Sequence, residues 1–261
     1  MPTHTFLSIL QADGTGLAPV LKLEPRSGAL AVLSMKPLIT ASQLCRRFGR
    51  RWAYARIDLE ICAGERVLIF GANGSGKTTL LRTLATVLRP SQGDLRIFGM
   101  DPLTDLDAVR QRIALLSHHH GFYEDLSASD NIGVLANLCG RTSKASLLLE
   151  SVGLENRPDP VRNFSAGMRK RLQLALVQVQ QPDLILMDEP FSALDPSAME
   201  RVGTLIGGLD GTVILASHQV ERAADLCDRA ILLDEGQICW HGPADRAWDA
   251  WQRLQEQRGA S

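Results

Sequence analysis

Between residues 71 and 78 the chain reads Gly-Ala-Asn-Gly-Ser-Gly-Lys-Thr, a match to the pattern GxxxxGK[ST]. Glycines at this spacing let backbone N–H groups approach phosphate oxygens, and a helix opening directly after them adds positive potential. Lys77 would then reach the β- and γ-phosphates, Thr78 would set its hydroxyl on Mg²⁺, and Thr79 would reach the α-phosphate. The expected nucleotide-binding set is Gly71, Asn73, Gly74, Ser75, Gly76, Lys77, Thr78 and Thr79, with ATP and Mg²⁺ as the ligands.

A second group of chemical residues follows an apolar run. Leu184 to Met187 ends in Asp188 and Glu189. A rigid strand end can deliver one carboxylate to a Mg²⁺-bound phosphate and a neighbouring one to the attacking water. Asp188 is therefore expected as a metal ligand beside Thr78, and Glu189 as general base. Acids at a strand end, taken alone, are more often a turn or a helix cap.

These residues need elements to hold them. From Ala55 to Ile61 polar and apolar residues alternate, as in a half-buried antiparallel strand, whereas Val67 to Phe70 is a continuous apolar run suited to a central strand. That strand feeds the glycine loop. Leu80, Leu81, Leu84, Val87 and Leu88 then recur at helical spacing until Arg89-Pro90, which predicts a helix from Lys77 to about Leu88. Leu184–Met187 and Val213–Ala216 read as further parallel strands of an α/β core. The stretch from Leu103 to Gly153, with helix-like segments at Asn131–Leu138 and Lys144–Val152, reads as a helical subdomain extending to about residue 180. Ile231–Leu233 and Gln237–Trp240 flank Asp234-Glu235-Gly236, a hairpin pattern.

Composition sets outer bounds. The 261 residues are 45% hydrophobic and 22% charged with a net charge of -1, so the chain can bury a sizeable core and has no general attraction for nucleic acid or an anionic membrane. Its apolar runs fall short of the roughly 20 residues that cross a bilayer. Cys45, Cys62, Cys139, Cys227 and Cys239 form no CxxC pair, which points to inert thiols in a reducing compartment. Residues 1–34 are expected to be a poorly ordered extension, and Met35, just before the first strand-like segment, is a candidate translation start. Residues 246–261 are expected to be a C-terminal tail.

FSAGM, LILMDEP, SALD and ASHQ stand in the order and spacing of the ATP-binding cassette family, and the chain resembles that family from Met35 to about Trp240. The resemblance implies an α/β fold: a P-loop NTPase core with a mainly parallel sheet, an antiparallel β-subdomain and a helical subdomain, spanning residues 35–245. It implies a signature motif at Phe164–Met168, where Ser165 and Gly167 would face the γ-phosphate held by an opposite subunit, and Ser165 is a good N-cap in its own right. Ala166 and Met168 depart from the family's usual glycine and glutamine. Asp195 would lie in the loop between subunits, and His218 resembles the switch histidine that contacts the γ-phosphate. The column where the family usually has a glutamine holds His118, with His119 as the alternative. Phe48 stands where the family puts an aromatic residue against adenine, although a Phe at a strand end is more often core.

The same resemblance implies a Mg²⁺-dependent ATPase, peripheral on the cytoplasmic face of the cell membrane. It would act as a dimer with a second copy of itself or a homologous subunit, and it would drive export through separate transmembrane permease subunits docked near Phe122-Tyr123-Glu124-Asp125. The Ser-His run before Gly121 and the segment DLSASDNI look similar to haem-exporter or cytochrome c maturation ATPases, and also to drug- and polysaccharide-exporting cassettes. A soluble ABC-type ATPase working on nucleic acid or ribosomes is the alternative. Its usual zinc cysteines and basic stretches are missing from the sequence, so no nucleic acid partner is expected. A regulator that does not hydrolyse is disfavoured by Glu189 and His218.

Overall fold

The structure, a computed structural model, describes residues 37–117 and 121–259. The expected extension 1–34, Met35 and His118 lie outside the described residues. Two sheets organise the chain. Strands β1 (Pro37–Phe48), β2 (Arg51–Cys62) and β4 (Gln92–Ile97) form an antiparallel sheet in the order β2-β1-β4. Strands β3 (Arg66–Phe70), β5 (Ile113–Leu116), β6 (Leu184–Asp188), β7 (Thr212–Ser217), β8 (Arg229–Asp234) and β9 (Gln237–Pro243) form a second sheet in the order β5-β6-β7-β3-β8-β9. Its first five neighbours run parallel, and β9 turns back antiparallel against β8.

The alternation in β2 is realised: Ile57, Leu59 and Ile61 are buried while Arg56, Asp58 and Glu60 are exposed. In β3 every residue from Val67 to Phe70 is buried, and the two faces go to different cores. Val67 and Ile69 pack with the antiparallel sheet and with Leu80, Leu81 and Leu84 of helix α1 (Lys77–Leu84). Leu68 and Phe70 pack on the other side with helices α3 (Ala128–Leu138), α5 (Ala166–Gln180) and α6 (Pro196–Gly207). A strand covered on both faces has no polar side, which is why the run shows no alternation. The remaining helices are the short α2 (Leu106–Arg110), α4 (Ala145–Ser151) and α7 (Val220–Ala224), and the terminal α8 (Ala247–Gly259).

Three expectations about elements change, and one strand was not expected. Helix α1 stops at Leu84, not Leu88: Thr86 takes φ +61°, and Val87 is exposed. Arg110 holds that turn by donating to the Thr86 hydroxyl and carbonyl, both at 3.1 Å. The turn sends the chain into β4, whose lone buried pair Leu95 and Ile97 left little pattern to read. Ile113–Leu116 falls inside the region read as helical, yet it is the edge strand of the parallel sheet; four apolar residues are too few to show a period. The expected tail is helix α8, whose Ala247, Ala250, Trp251 and Leu254 follow helical spacing and pack on the core.

A candidate nucleotide-binding site

The phosphate loop is the crossing from β3 to α1, and its glycines are fixed by their neighbours. A Cβ on Gly71 (φ +148°) would lie 2.0 Å from the Leu233 carbonyl oxygen, and one on Gly76 (φ +105°) would lie 2.4 Å from that of Ala53. Strands β8 and β2 thus press on the loop from behind, leaving its other side to present N–H groups. The first turn of α1 has no side-chain cap, so its orphan donors face the loop. Ser75 is 3% exposed and its hydroxyl has no hydrogen-bond partner among the described residues. A buried hydroxyl without a partner at a helix N-terminus fits an anionic ligand.

Lys77 is buried and folds over the loop, donating from Nζ to the Gly71 carbonyl at 2.9 Å and the Ala72 carbonyl at 3.0 Å. Burial draws its pKa below the usual ammonium range, and the Glu189 and Asp188 carboxylates act in the opposite sense. Thr78 donates its hydroxyl to Asp188 Oδ1 at 2.9 Å across 110 positions of sequence. The two expected Mg²⁺ ligands therefore meet, and Asp188 is 3% exposed at the end of β6. Among the described residues no group of three or more His, Cys, Asp or Glu side chains forms a metal cage. A Mg²⁺ shared with nucleotide phosphates needs only one or two protein ligands.

Glu189 sits at φ +49°, a conformation unfavourable for a residue with a side chain. Its backbone N–H donates to Ala216 O at 2.8 Å, tying it to β7. Its carboxylate accepts from the Ser217 hydroxyl at 3.2 Å and the His218 backbone N–H at 3.1 Å, and lies 2.9 Å from His218 Nδ1. Both expected catalytic residues are thus one hydrogen-bonded unit at adjacent strand ends, with Nε2 of His218 left for other contacts.

A second group assembles beside α5 and α6. Ser165 caps α5 by accepting from Met168 N at 3.2 Å, as expected, and is exposed. Gly167 abuts Ala198, to which a Cβ on it would come within 3.3 Å. Asp195 caps α6, accepting from Ala198 N at 2.9 Å and Ser197 Oγ at 2.7 Å, and these bonds hold its carboxyl below the usual range. Gly167 of α5 thus meets α6 at Ala198, in the first turn that Asp195 caps. Phe48 is exposed at the β1–β2 hairpin, with the Arg46 guanidinium 4.7 Å above its ring.

Two residues had no place in the sequence reading. Lys170 is 5% exposed on α5, with no hydrogen-bond partner for Nζ among the described residues; burial lowers its pKa, and Asp188 and Glu189 oppose this. Its spacing to Leu174 and Val177 marks the buried face, but a charged residue there does not announce itself. Asn131 is also buried and braces the Phe122–Leu126 loop, accepting from Tyr123 N at 2.9 Å and donating to Tyr123 O at 3.0 Å. An open groove at the other end of the parallel strands, lined by Gly64, Arg112, Asp183 and Thr212, shares no residue with the phosphate loop.

Comparison with known proteins gives one family, described as ABC transporter, over residues 54–192. The chain is similar to the daunorubicin resistance ATP-binding protein DrrA3 of Streptomyces coeruleorubidus, 36% identical over 79% of this chain and 68% of that protein. It is also similar to the lipoprotein-releasing system ATP-binding protein LolD 2 of Rhodospirillum rubrum, 34% identical over 80% of this chain and 99% of that protein. Among solved structures, an ATP-binding cassette in a dimeric post-hydrolysis state with ADP and Pi superposes with a TM-score of 0.71 at 23% identity, covering 79% of this chain and 98% of the other.

Proposed function

The chain belongs to the ABC transporter family, and on that premise we propose that it is an ATP-binding, ATP-hydrolysing subunit that works as a dimer and powers export through separate membrane subunits. The observation that carries the hydrolytic part is the convergence of Thr78 with Asp188, and of Glu189 with His218, at the mouth of the glycine loop.

The backbone N–H groups of the loop, the Ser75 hydroxyl and Lys77 would hold the triphosphate, with Lys77 leaving its two loop carbonyls to do so. Thr78 and Asp188 would hold Mg²⁺, which supplies charge neutralisation on the phosphates when bound. Glu189 would take a proton from the attacking water at a carboxylate oxygen, while Ser217 and His218 fix the direction of that carboxylate. Phe48 would offer an exposed ring face to adenine, and Ser165, Gly167 and Asp195 would meet the nucleotide and the loops of the opposite subunit. His118 remains the proposed residue in the glutamine position.

A dimer is proposed because Ser165 is exposed at the start of α5, where the family resemblance puts it opposite a γ-phosphate held by a second subunit. No helix among the described residues is long and apolar enough to cross a membrane. A peripheral seat on the cytoplasmic side of a membrane subunit is part of the proposal, and membership of the ABC transporter family is what supports it. The exposed Tyr123 and Leu126, on the loop braced by Asn131, are the proposed docking side chains. The relatives described are named for daunorubicin resistance and lipoprotein release, which supports export and gives no support to cytochrome c maturation in particular.

Purified protein, alone and with its membrane partner, is expected to release phosphate from ATP with Mg²⁺ and to stop when Mg²⁺ is chelated. Lys77→Ala should lose both activity and ATP affinity. Mg²⁺-independent phosphate release, or wild type and Lys77→Ala binding ATP alike, would refute the reading.

A further inference from the structure

The phosphate loop is backed by a turn that the far end of the chain holds in place. Between β8 and β9, Gly236 donates its N–H to the Ser75 carbonyl at 3.0 Å and accepts from Ala55 N at 2.9 Å. The fit is close: a Cβ on Gly236 (φ +79°) would lie 2.8 Å from Tyr54 Cα and 2.9 Å from Ala53 O. The same strand end supplies the Leu233 carbonyl that crowds Gly71. The turn Asp234–Gly236 is thus the wall against which the loop is shaped.

Helix α8 holds that turn at one point and the strand leading into the loop at another. Arg258 places Nη2 2.6 Å from Asp234 Oδ1 and 2.7 Å from Oδ2, with Glu235 Oε1 at 3.7 Å. Asp234 is only 15% exposed at its side chain and Arg258 39%, so the pair is partly withdrawn from water and stronger than an open surface contact. Seven residues earlier, Trp251 meets the edge of Phe70, the residue before Gly71, with ring centroids 6.4 Å apart. Trp240 of β9 meets the same ring at 6.0 Å. Ala247 and Ala250 seat the start of the helix in the core, and Arg258 near its far end reaches the turn.

We infer that Arg258 is a positioning residue for nucleotide binding: by pinning Asp234 it holds the turn, and through Gly236 the Ser75 carbonyl, in the shape that presents the loop's N–H groups to phosphate. Preorganised donors bind better than donors that must first be ordered. Loss of the pin lets the turn and loop sample other shapes, and the binding-competent fraction falls. This inference rests on the proposed ATP binding, and its test separates the two.

Wild type, Arg258→Ala and the charge swap Asp234→Arg with Arg258→Asp are to be titrated with ATP by calorimetry in EDTA, where no turnover occurs. Amide exchange of the 71–78 segment is followed in the nucleotide-free proteins. Arg258→Ala is expected to bind ATP three- to ten-fold more weakly and to exchange faster in that segment, with the swap returning to within two-fold of wild type. A merely stabilising salt bridge would lower the melting temperature and leave affinity untouched. Binding by Arg258→Ala within two-fold of wild type, or a swap as weak as Arg258→Ala, overturns the inference. Should the alanine variant fail to fold, the same thresholds apply to Arg258→Gln, which keeps the bulk of the side chain. Wild type that binds ATP neither in EDTA nor with Mg²⁺ would refute the proposed function instead, and unchanged exchange in Arg258→Ala would still overturn the inference.

Discussion

At the scale of single residues, Glu189 carries the proposed role of general base. Its φ of +49° costs roughly 1–2 kcal/mol, and that cost is sustained by three anchors: Ala216 on its N–H, Ser217 on its carboxylate and His218 beside it. Strain held this firmly at a strand end serves to aim a side chain. Glu189→Gln keeps the shape but removes the basic oxygen, so turnover should fall by about 100-fold or more while ATP affinity stays within a few-fold. Phosphate release and equilibrium binding measured on the same preparation check this, and undiminished turnover would remove Glu189 from the role. Thr78→Val tests the metal side: it deletes the hydroxyl that meets Asp188, so the Mg²⁺ concentration for half-maximal activity should rise about ten-fold. The identities of these residues were legible in the sequence because each sits in a short local pattern. Their pairings were not. Thr78 and Asp188 are 110 positions apart, and only the parallel order of β3, β7 and β6 closes that distance.

At the scale of elements, legibility followed burial pattern. Strands β2 and β3 could be read because one alternates and the other is apolar throughout, each for a reason visible in its surroundings. Strand β5, the end of α1 and helix α8 could not. Strand β5 is too short to show a period, α1 is ended by a tertiary contact from Arg110, and α8 carries its apolar residues among many charges. The cap of α5 is local and stands where the sequence puts it, and Ser165→Ala should cost about 1 kcal/mol of stability, seen as a lower thermal midpoint. Tyr54 links β2 to α1 by donating to the Thr83 hydroxyl at 2.8 Å, and burial pushes its phenol up to about 12. The folded pKa is higher than the 10.0 of an unperturbed phenol, so this contribution to stability is complete below pH 10 and lost as pH rises toward 12. Tyr54→Phe should flatten that alkaline loss in a denaturation series, and an unchanged slope would show that another group titrates there.

At the scale of the whole molecule, the proposed site residues fall into two groups. The phosphate loop, Asp188, Glu189 and His218 converge, while Ser165, Gly167 and Asp195 gather on a separate face with Ser165 exposed. A head-to-tail pair would bring each group to the other's partner and make two equivalent sites, a closed arrangement in which neither protomer is complete alone. Mixing two inactive variants tests this directly. Lys77→Ala removes the phosphate contact, and Ser165→Arg places bulk and charge on the exposed face; each homodimer has both sites damaged. In a mixed dimer one site collects both lesions and the other collects none, because its loop comes from the Ser165 variant and its Ser165 face from the Lys77 variant. With random exchange half the dimers are mixed and each has one of two sites intact, so activity should recover to about a quarter of wild type if the sites fire independently. If each chain carried a complete site, mixing would return only the average of two inactive proteins. Recovery well below a quarter but above that average would mean that both sites must close together for either to turn over, which still requires the composite arrangement.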